Sequence, residues 1–363
     1  MTNRTFRLSP AANDESKDPG RRRPGSRSFR TLTALSLAAV LALASTGCVS
    51  LDILSLGPDG PPEQSVVAGA AGPKVLLLEI DGVINGADTP SFLGSTPSTI
   101  ARVRTVLDLA RQDPEIKGVL LRIDSPGGTA TASEQVYTEI LRFKKEKGVP
   151  VVAQLLTTAA SGGYYIAMAA DEVQAHPTTV VGSIGVIFTS MNFAGLMEKL
   201  GIEDQTITGG EFKDIGSPFR PLTAVERAQL QSIVDDLHAR FREVVDRGRP
   251  ELDAEQVAAL ANGRIYSAPQ ALENGLVDRV GAMADAVGLL SDRMGAPRVR
   301  VVAYHRPNRA RSNYYMQAPG RSAGPSLAGA QPLDAATMGQ TLAPLLARPG
   351  FHYLWWPGLG GLR

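Results

Sequence analysis

Cysteine and histidine are scarce in this chain of 363 residues, which has one cysteine and four histidines. A single cysteine excludes an intramolecular disulfide and a cysteine-rich zinc site. Aromatic residues make up only 6%, and both tryptophans lie close to the C-terminus. Because the histidines are far apart in the sequence, they form no metal-ligand pattern.

Net charge is also nearly absent, at +1, but the charges are unevenly distributed. Residues 1–30 carry a net charge of +5 and residues 296–363 one of +7, which leaves −11 for residues 31–295. An acidic body is not typical of a nucleic-acid-binding protein. Hydrophobic residues make up 43% of the chain, which is enough to bury a sizeable core.

The N-terminal region has the pattern of an export signal. A neutral apolar run covers residues 31–44, which is shorter than the roughly 20 residues of a bilayer span. The following Ala-Ser-Thr-Gly-Cys at 44–48 resembles the bacterial lipobox, although Ser45 replaces its usual leucine. We expect residues 1–47 to be a lipoprotein-type signal peptide and Cys48 to carry the lipid. An uncleaved signal anchor, or a cleaved signal with an incidental cysteine, is the alternative. Each places the body in the cell envelope, outside the cytoplasm and near a membrane.

The rest of the chain divides into three parts. Residues 48–72 are rich in proline and glycine and read as a tether. Alternating apolar strands and amphipathic helices over 73–295 predict one α/β domain built from parallel β-α units. The tail, 296–363, is basic, rich in proline and glycine, and ends in an aromatic segment at 351–357. That segment is either an anchor to a membrane or a neighbouring subunit, or a short arm packing on its own domain.

Two glycine-rich loops follow predicted strands, at the edge where α/β sheets bind ligands. In the first, Gly127 and Gly128 can turn the backbone and expose N–H groups to a developing oxyanion. In the second, Ser161 follows a strand and opens a helix, with Gly162 next to it. This is the logic of a nucleophile elbow, although a helix N-cap is the simpler interpretation of Ser161 alone.

A nucleophilic serine needs a base, and none of the histidines lies in such a loop, which disfavours a Ser-His-Asp triad. Lys213 lies between apolar and small residues in a third loop. A lysine base has to be neutral, so its pKa must fall from about 10.4 through burial. The adjacent Asp214 opposes this unless its side chain points away, and a surface lysine remains the alternative.

Four motifs, in order, resemble the signal peptide peptidase A family of membrane-bound bacterial Ser–Lys peptidases. They are Ser-Pro-Gly-Gly at 125–128, Ala-Ser-Gly-Gly-Tyr-Tyr at 160–165, Gly-Ser-Ile-Gly-Val-Ile at 182–187 and Phe-Lys-Asp-Ile-Gly-Ser-Pro at 212–218. The resemblance covers about 73–290 and implies a fold like those of crotonase and Clp protease. It implies the following roles: Ser161 as nucleophile, Lys213 as general base, Ser183 as the serine that orients the lysine, and the N–H groups of Gly127, Gly128 and Gly162 as the oxyanion hole.

The resemblance also implies substrates and assembly. Relatives cut remnant signal peptides and other exposed chains beside apolar or small residues, and no metal or cofactor is needed. The short forms imply a homo-oligomeric ring in which neighbouring subunits supply Ser161 and Lys213 to one site. Two alternatives remain: an inactive membrane-tethered scaffold on the same fold, and a crotonase-like acyl-CoA enzyme, which export from the cytoplasm disfavours.

Overall fold

A computed structural model describes residues 62–91, 94–307, 310–316 and 350–355. The predicted signal peptide and Cys48 lie outside these residues. Among the residues described, no helix is both long enough and apolar enough to span a bilayer.

Fourteen strands and eight helices are found in the described part of the chain. The strands are β1 (Glu63–Ala68), β2 (Lys74–Asp81), β3 (Thr89–Ser91), β4 (Gly94–Thr96), β5 (Ile116–Ser125), β6 (Gly127–Thr129), β7 (Val151–Ala160), β8 (Glu172–Ala175), β9 (Val180–Gly182), β10 (Ile187–Thr189), β11 (Ile265–Ser267), β12 (Arg279–Val280), β13 (Arg300–His305) and β14 (Gly350–Leu354). The helices are α1 (Thr99–Gln112), α2 (Ala130–Lys147), α3 (Gly162–Ala167), α4 (Ala194–Leu200), α5 (Ala224–Gly248), α6 (Ala254–Leu260), α7 (Ala268–Glu273) and α8 (Met283–Arg293).

The main sheet has the order β1-β13-β2-β5-β7-β8-β12, and β9 pairs with the C-terminal end of β7 and with β11. Neighbours from β13 to β12 are parallel, whereas β1–β13 and β9–β11 are antiparallel. The predicted α/β fold with parallel β-α units is confirmed. Strands β10, β14 and β6 form a second, antiparallel sheet, and β3 pairs with β4.

Both faces of the main sheet are buried, which explains why its strands read as continuous apolar runs. Along β2, Leu76 and Leu78 belong to one core cluster, whereas Val75 and Leu77 belong to a second. Successive side chains of a strand point to opposite faces, so one apolar run serves both cores. The first core contains residues of α1, α2, α3 and α5, and the second is closed by α8.

The folded domain extends beyond the predicted limits of 73 and 295. Strand β1 lies in the segment predicted as a tether, and β13 and β14 lie in the segment predicted as a tail. Strand β13 is inserted between β1 and β2, so it is part of the main sheet. These short strands are stabilised by distant partners, and such pairing leaves little signal in the local sequence.

A buried ion cluster fastens part of the tail to β2 and β5. The guanidinium of Arg122, only 1% exposed, pairs with Glu79 and with Asp81 at 2.9 Å and donates to the carbonyl of Tyr314 at 2.6 Å. Arg311 pairs with the same Glu79. Residues 311–314 are thereby held by charge against the sheet.

Candidate active site

Ser161 is placed by a sharp turn between β7 and α3. Its φ of 52° and ψ of −117° lie outside the regions that non-glycine residues usually adopt. Its side chain forms no N-cap hydrogen bond, and the residue is only 1% exposed. The simpler interpretation as an N-cap is therefore wrong. A strained serine between a strand and a helix is the geometry of a nucleophile elbow.

Ser183 lies beside Ser161 because their strands are neighbours. Ala160 of β7 pairs in parallel with Gly182 of β9, and each serine directly follows its paired residue. The Ser161 N–H donates to the Gly182 carbonyl at 2.7 Å. Ser183 also has a positive φ, of 50°, and is 8% exposed. Two serines with strained backbones thus meet at the carboxyl edge of the sheet.

The predicted oxyanion glycines are close to the same point. A Cβ on Gly127, whose φ is 98°, would lie 2.7 Å from the amide nitrogen of Gly162. A Cβ on Gly162 would lie 2.3 Å from the hydroxyl of Ser133 and 3.2 Å from the Cα of Gly127. Side chains cannot be accommodated at either position without a shift. The absence of side chains lets the two backbone segments approach each other next to Ser161.

The two turn glycines differ in what their amides contact. The Gly127 N–H donates to the Ser125 hydroxyl at 3.1 Å, while Ile84 engages the Gly127 carbonyl and the Thr129 N–H. Since successive peptide groups of a strand point to opposite sides, the Gly128 N–H faces away from Ile84. Of these two glycines, Gly127 therefore has its N–H engaged within the turn.

Two tyrosines near the N-terminal end of α3 hold this helix in place through their hydroxyl groups. The hydroxyl of Tyr164 donates to the Leu276 carbonyl at 2.6 Å, and burial raises the pKa of Tyr164 to about 12. The hydroxyl of Tyr165 donates to Glu134, whose carboxylate also binds Arg240 at 2.9 Å. Both tyrosines stay neutral donors at physiological pH. Anchors of this kind fix the position of a reactive side chain.

The described residues show no hydrogen bond between Lys213 and Ser161 within one chain. Lys213 lies in a series of turns over residues 211–216, where its backbone N–H donates to the Gly210 carbonyl at 3.1 Å. Its side chain is exposed and forms no hydrogen bond or ion pair with the described residues. Asp214 is bound by Arg220 through two hydrogen bonds, at 2.6 and 2.8 Å. These bonds hold the pKa of Asp214 below its usual value. Arg220 also pairs with Glu226, so this one cation is shared between two carboxylates.

Exposed apolar side chains are frequent in the part of the chain that contains the Lys213 loop. They belong to the stretch of residues 191–219 and are Met191, Phe193, Leu196, Leu200, Ile202, Ile207, Phe212 and Phe219, each exposed by 41% or more. Ile207 is 98% exposed. Large contiguous apolar surfaces usually mark a contact with another molecule.

The C-terminal strand β14 also reaches the site, which the sequence analysis did not predict. It lies between β6, which carries Gly128, and β10. Tyr353 is 1% exposed and stacks on Tyr165, with ring centroids 5.2 Å apart. The described part of the aromatic segment therefore packs on its own domain. The sequence feature that could have indicated this contact is the unusual density of aromatic residues at 351–356.

Residues 143–296 match the model of peptidase family S49. A putative signal peptide peptidase of Enterococcus faecium is 34% identical over 72% of this chain and 75% of its own length. A putative protease of Synechocystis is 37% identical over 59% of this chain and 72% of its own length. The chain belongs to the signal peptide peptidase A family. The expected family, and with it the peptidase fold similar to those of Clp protease and crotonase, is confirmed.

Because the chain belongs to this family, it is an S49 peptidase. The alternative of a crotonase-like acyl-CoA enzyme is therefore dropped. A membrane-bound stomatin-specific protease is a more distant structural relative, with 17% identity, a TM-score of 0.39 and coverage of 61% of this chain and 86% of its own. In the described ranges, no three histidine, cysteine, aspartate or glutamate residues are grouped as metal ligands would be.

Proposed function

We propose that this S49 peptidase is a serine endopeptidase in which Ser161 is the nucleophile and Lys213 the general base. The observation that carries the proposal is the strained, buried turn at Ser161, with the amides of Gly128 and Gly162 close by. Its substrates are remnant signal peptides or other membrane-associated peptides with apolar or small residues at the cut. The enzyme works in the cell envelope, held to a membrane by a lipid on Cys48.

The reaction is acyl transfer. Neutral Lys213 takes the proton of the Ser161 hydroxyl while the oxygen bonds to the carbonyl carbon of the substrate. The Gly128 and Gly162 amides stabilise the oxyanion. As the C–N bond breaks, Lys213 gives its proton to the leaving amine. A water molecule then loses a proton to Lys213 and attacks the acyl-enzyme. As the ester bond breaks, Lys213 returns that proton to the Ser161 oxygen, which releases the new carboxyl end and restores both residues.

We infer that each working site is formed between two neighbouring subunits of a homo-oligomeric ring. Lys213 is exposed and forms no hydrogen bond to Ser161 in one chain, and exposed apolar side chains occur on both sides of it in the sequence. A neighbour that covers this apolar surface would bury the lysine, which favours the neutral amine that the reaction needs. Ser183, next to Ser161, would then orient the arriving amine.

Mixed assemblies of Ser161→Ala and Lys213→Ala chains test the dyad and its location together. Each variant alone should have lost peptidase activity. With random assembly, half of the subunits keep Ser161 and half of the neighbours keep Lys213, so about a quarter of the natural activity should return. Co-purification through two different affinity tags verifies that mixed assemblies form.

The other outcomes are distinct. If mixed assemblies form and stay inactive while both residues are essential, the dyad lies within one chain. If either single variant keeps full activity, that residue is not part of the dyad. If the natural, assembled protein cleaves nothing in a broad peptide set, the inactive scaffold becomes the better interpretation.

A further inference from the structure

Strand β7 changes its neighbour shortly before the chain reaches Ser161. Residues 152–155 pair with β8, whereas residues 158–160 pair with β9. Ser183 directly follows β9, so this change of partner is what brings the two serines of the site side by side. The place at which β7 leaves β8 therefore determines the geometry of the site.

A bulge in β7 lies at this place. Ile123 of β5 pairs with Leu155, and the next pair is Ser125 with Ala159, so two steps along β5 correspond to four along β7. Residues 156–158, which we call the β7 bulge, thus lie opposite the single residue Asp124. Bulges redirect strands and are frequent beside active sites. Ser161 follows the bulge by three residues, so its position depends on how the bulge is held.

The carboxylate of Asp124 holds the bulge from the β5 side. One of its oxygens accepts from the Thr158 N–H at 3.1 Å, and the other accepts from the Thr157 hydroxyl at 3.3 Å. Burial raises the pKa of Asp124, and the hydrogen bond from the Thr158 N–H is the largest influence in the opposite direction. Hydrogen bonds to an ionised acceptor are stronger than neutral ones. The bulge is therefore fastened to β5 by a charge-assisted contact.

Thr179 holds the bulge from the opposite side. It is 1% exposed, and its hydroxyl lies within hydrogen-bond distance of the Leu155 and Leu156 carbonyl oxygens. The His176 N–H also donates to the Leu155 carbonyl, at 3.0 Å. Because Thr179 directly precedes β9, the same contact ties β9 to the bulge. The bulge is thus fixed between β5 and the segment that leads to Ser183.

We propose that Asp124 is a positioning residue for catalysis, which sets the place of Ser161 relative to Ser183 through the β7 bulge. This inference rests on the proposed function, since it assigns a further residue to the same reaction. Asp124 acts through the backbone of β7 and does not contact the substrate. Its loss should therefore affect kcat much more than KM.

Kinetics of two Asp124 variants test the inference. Asp124→Ala removes both acceptors from the bulge. Because a displacement of about 1 Å can cost about 10²-fold in rate, kcat should fall by about that factor while KM changes little. Asp124→Asn keeps a side-chain carbonyl that can accept from the Thr158 N–H, and its amide can donate to the Thr157 hydroxyl. This conservative variant should restore most of the lost kcat.

The matched control is Asp171→Ala. The Asp171 carboxylate accepts from the Val151 N–H at 2.8 Å, at the opposite end of the same strand, and pairs with Lys144 at 2.7 Å. Its replacement should lower the free energy of unfolding and leave kcat unchanged. Urea denaturation verifies that each variant is folded under the conditions of the assay.

Amide hydrogen exchange, measured by mass spectrometry, provides a readout that does not depend on peptidase activity. Asp124→Ala should accelerate exchange in a fragment that covers residues 156–161, because the bulge has lost its contact with β5. Asp171→Ala should leave exchange in that fragment unchanged.

Three results overturn the inference and leave the peptidase intact. They are natural kcat in a folded Asp124→Ala enzyme, unchanged exchange over residues 156–161 in that variant, and equal losses of kcat in Asp124→Ala and Asp171→Ala. A natural, assembled chain that cleaves no peptide has a different meaning, since it removes the proposed function and the catalytic role of the bulge with it.

A second pair of variants replaces Asp124→Ala if that chain does not fold. Thr179→Val is similar in shape to the natural residue but lacks the hydroxyl, whereas Thr179→Ser keeps it. The first should lower kcat with little change in KM, and the second should retain kcat. Equal kcat in the two folded variants contradicts the inference.

Discussion

Replacing Gly162 by alanine tests how closely the backbone segments of the active site must approach one another. The new methyl group would stand 2.3 Å from the hydroxyl oxygen of Ser133, 3.1 Å from the carbonyl oxygen of Tyr353 and 3.2 Å from the Cα of Gly127. Two of these neighbours are backbone atoms and cannot rotate away. We expect overpacking to lower the free energy of unfolding by about 1–3 kcal/mol.

The loss of kcat in Gly162→Ala should be larger than its loss of stability alone would cause. The backbone must move to accommodate the new methyl group, and this movement displaces the Gly162 N–H from the oxyanion. Loss of one such donor lowers kcat by about 10²–10³-fold. Because that contact strengthens in the transition state, KM should change little. Removing the Ser133 hydroxyl oxygen, the atom nearest to the new methyl group, should relieve part of the overpacking. In the Ser133→Ala background, Gly162→Ala should therefore cost less stability than it does alone, although Ser133→Ala itself loses a hydrogen bond to Thr129 worth about 1 kcal/mol.

Hydrolysis of a fluorogenic peptide and urea denaturation of the same preparations measure both effects. The matched control is Gly288→Ala in α8, where a Cβ would have no neighbour within 4 Å. It should stabilise the helix by up to about 1 kcal/mol and leave kcat unchanged. A Gly162→Ala enzyme with natural kcat and natural stability would refute the assignment of Gly162 to a tightly packed oxyanion hole.

Two further predictions concern charges. Arg311→Met leaves Glu79 with one cation fewer and should lower the free energy of unfolding by about 2 kcal/mol. Arg104→Met removes a solvent-exposed ion pair and should lower it much less; urea denaturation compares the two variants. Glu226, hydrogen-bonded mainly by Arg220, has its pKa lowered from 4.5 to about 2. Its stabilising contribution should be complete above about pH 4.5 and lost as the pH falls to about 2. The stability difference between the natural protein and Glu226→Gln should therefore shrink over that range, and a constant difference would contradict this.

The sequence predicted the elements whose stability is largely local or set by burial. The apolar run at 74–80 became β2, and Ser98 caps α1 by accepting a hydrogen bond from the Ala101 N–H at 3.2 Å. Ser161 was predicted as the nucleophile because its motif, Ala-Ser-Gly-Gly-Tyr-Tyr, resembles that of the signal peptide peptidase A family. These features can be read from a few neighbouring residues.

Pairing between distant segments was not predictable in the same way. Strand β1 pairs with β13, and β14 joins β6, across most of the length of the domain. Nothing in the local pattern of 350–354 specifies that Tyr353 will lie opposite Gly128. The motifs indicated Lys213 as the base, but a local motif does not encode which side chains of the folded chain will lie next to it.

Covalent labelling of Ser161 tests the central claim most directly. A peptidyl phosphonate diphenyl ester reacts with an activated serine, and mass spectrometry of proteolytic fragments locates the adduct. We predict one adduct per chain, on Ser161, none in Ser161→Ala, and much slower labelling in Lys213→Ala assemblies. An adduct on a different serine, or peptide hydrolysis that survives in Ser161→Ala, would contradict the account.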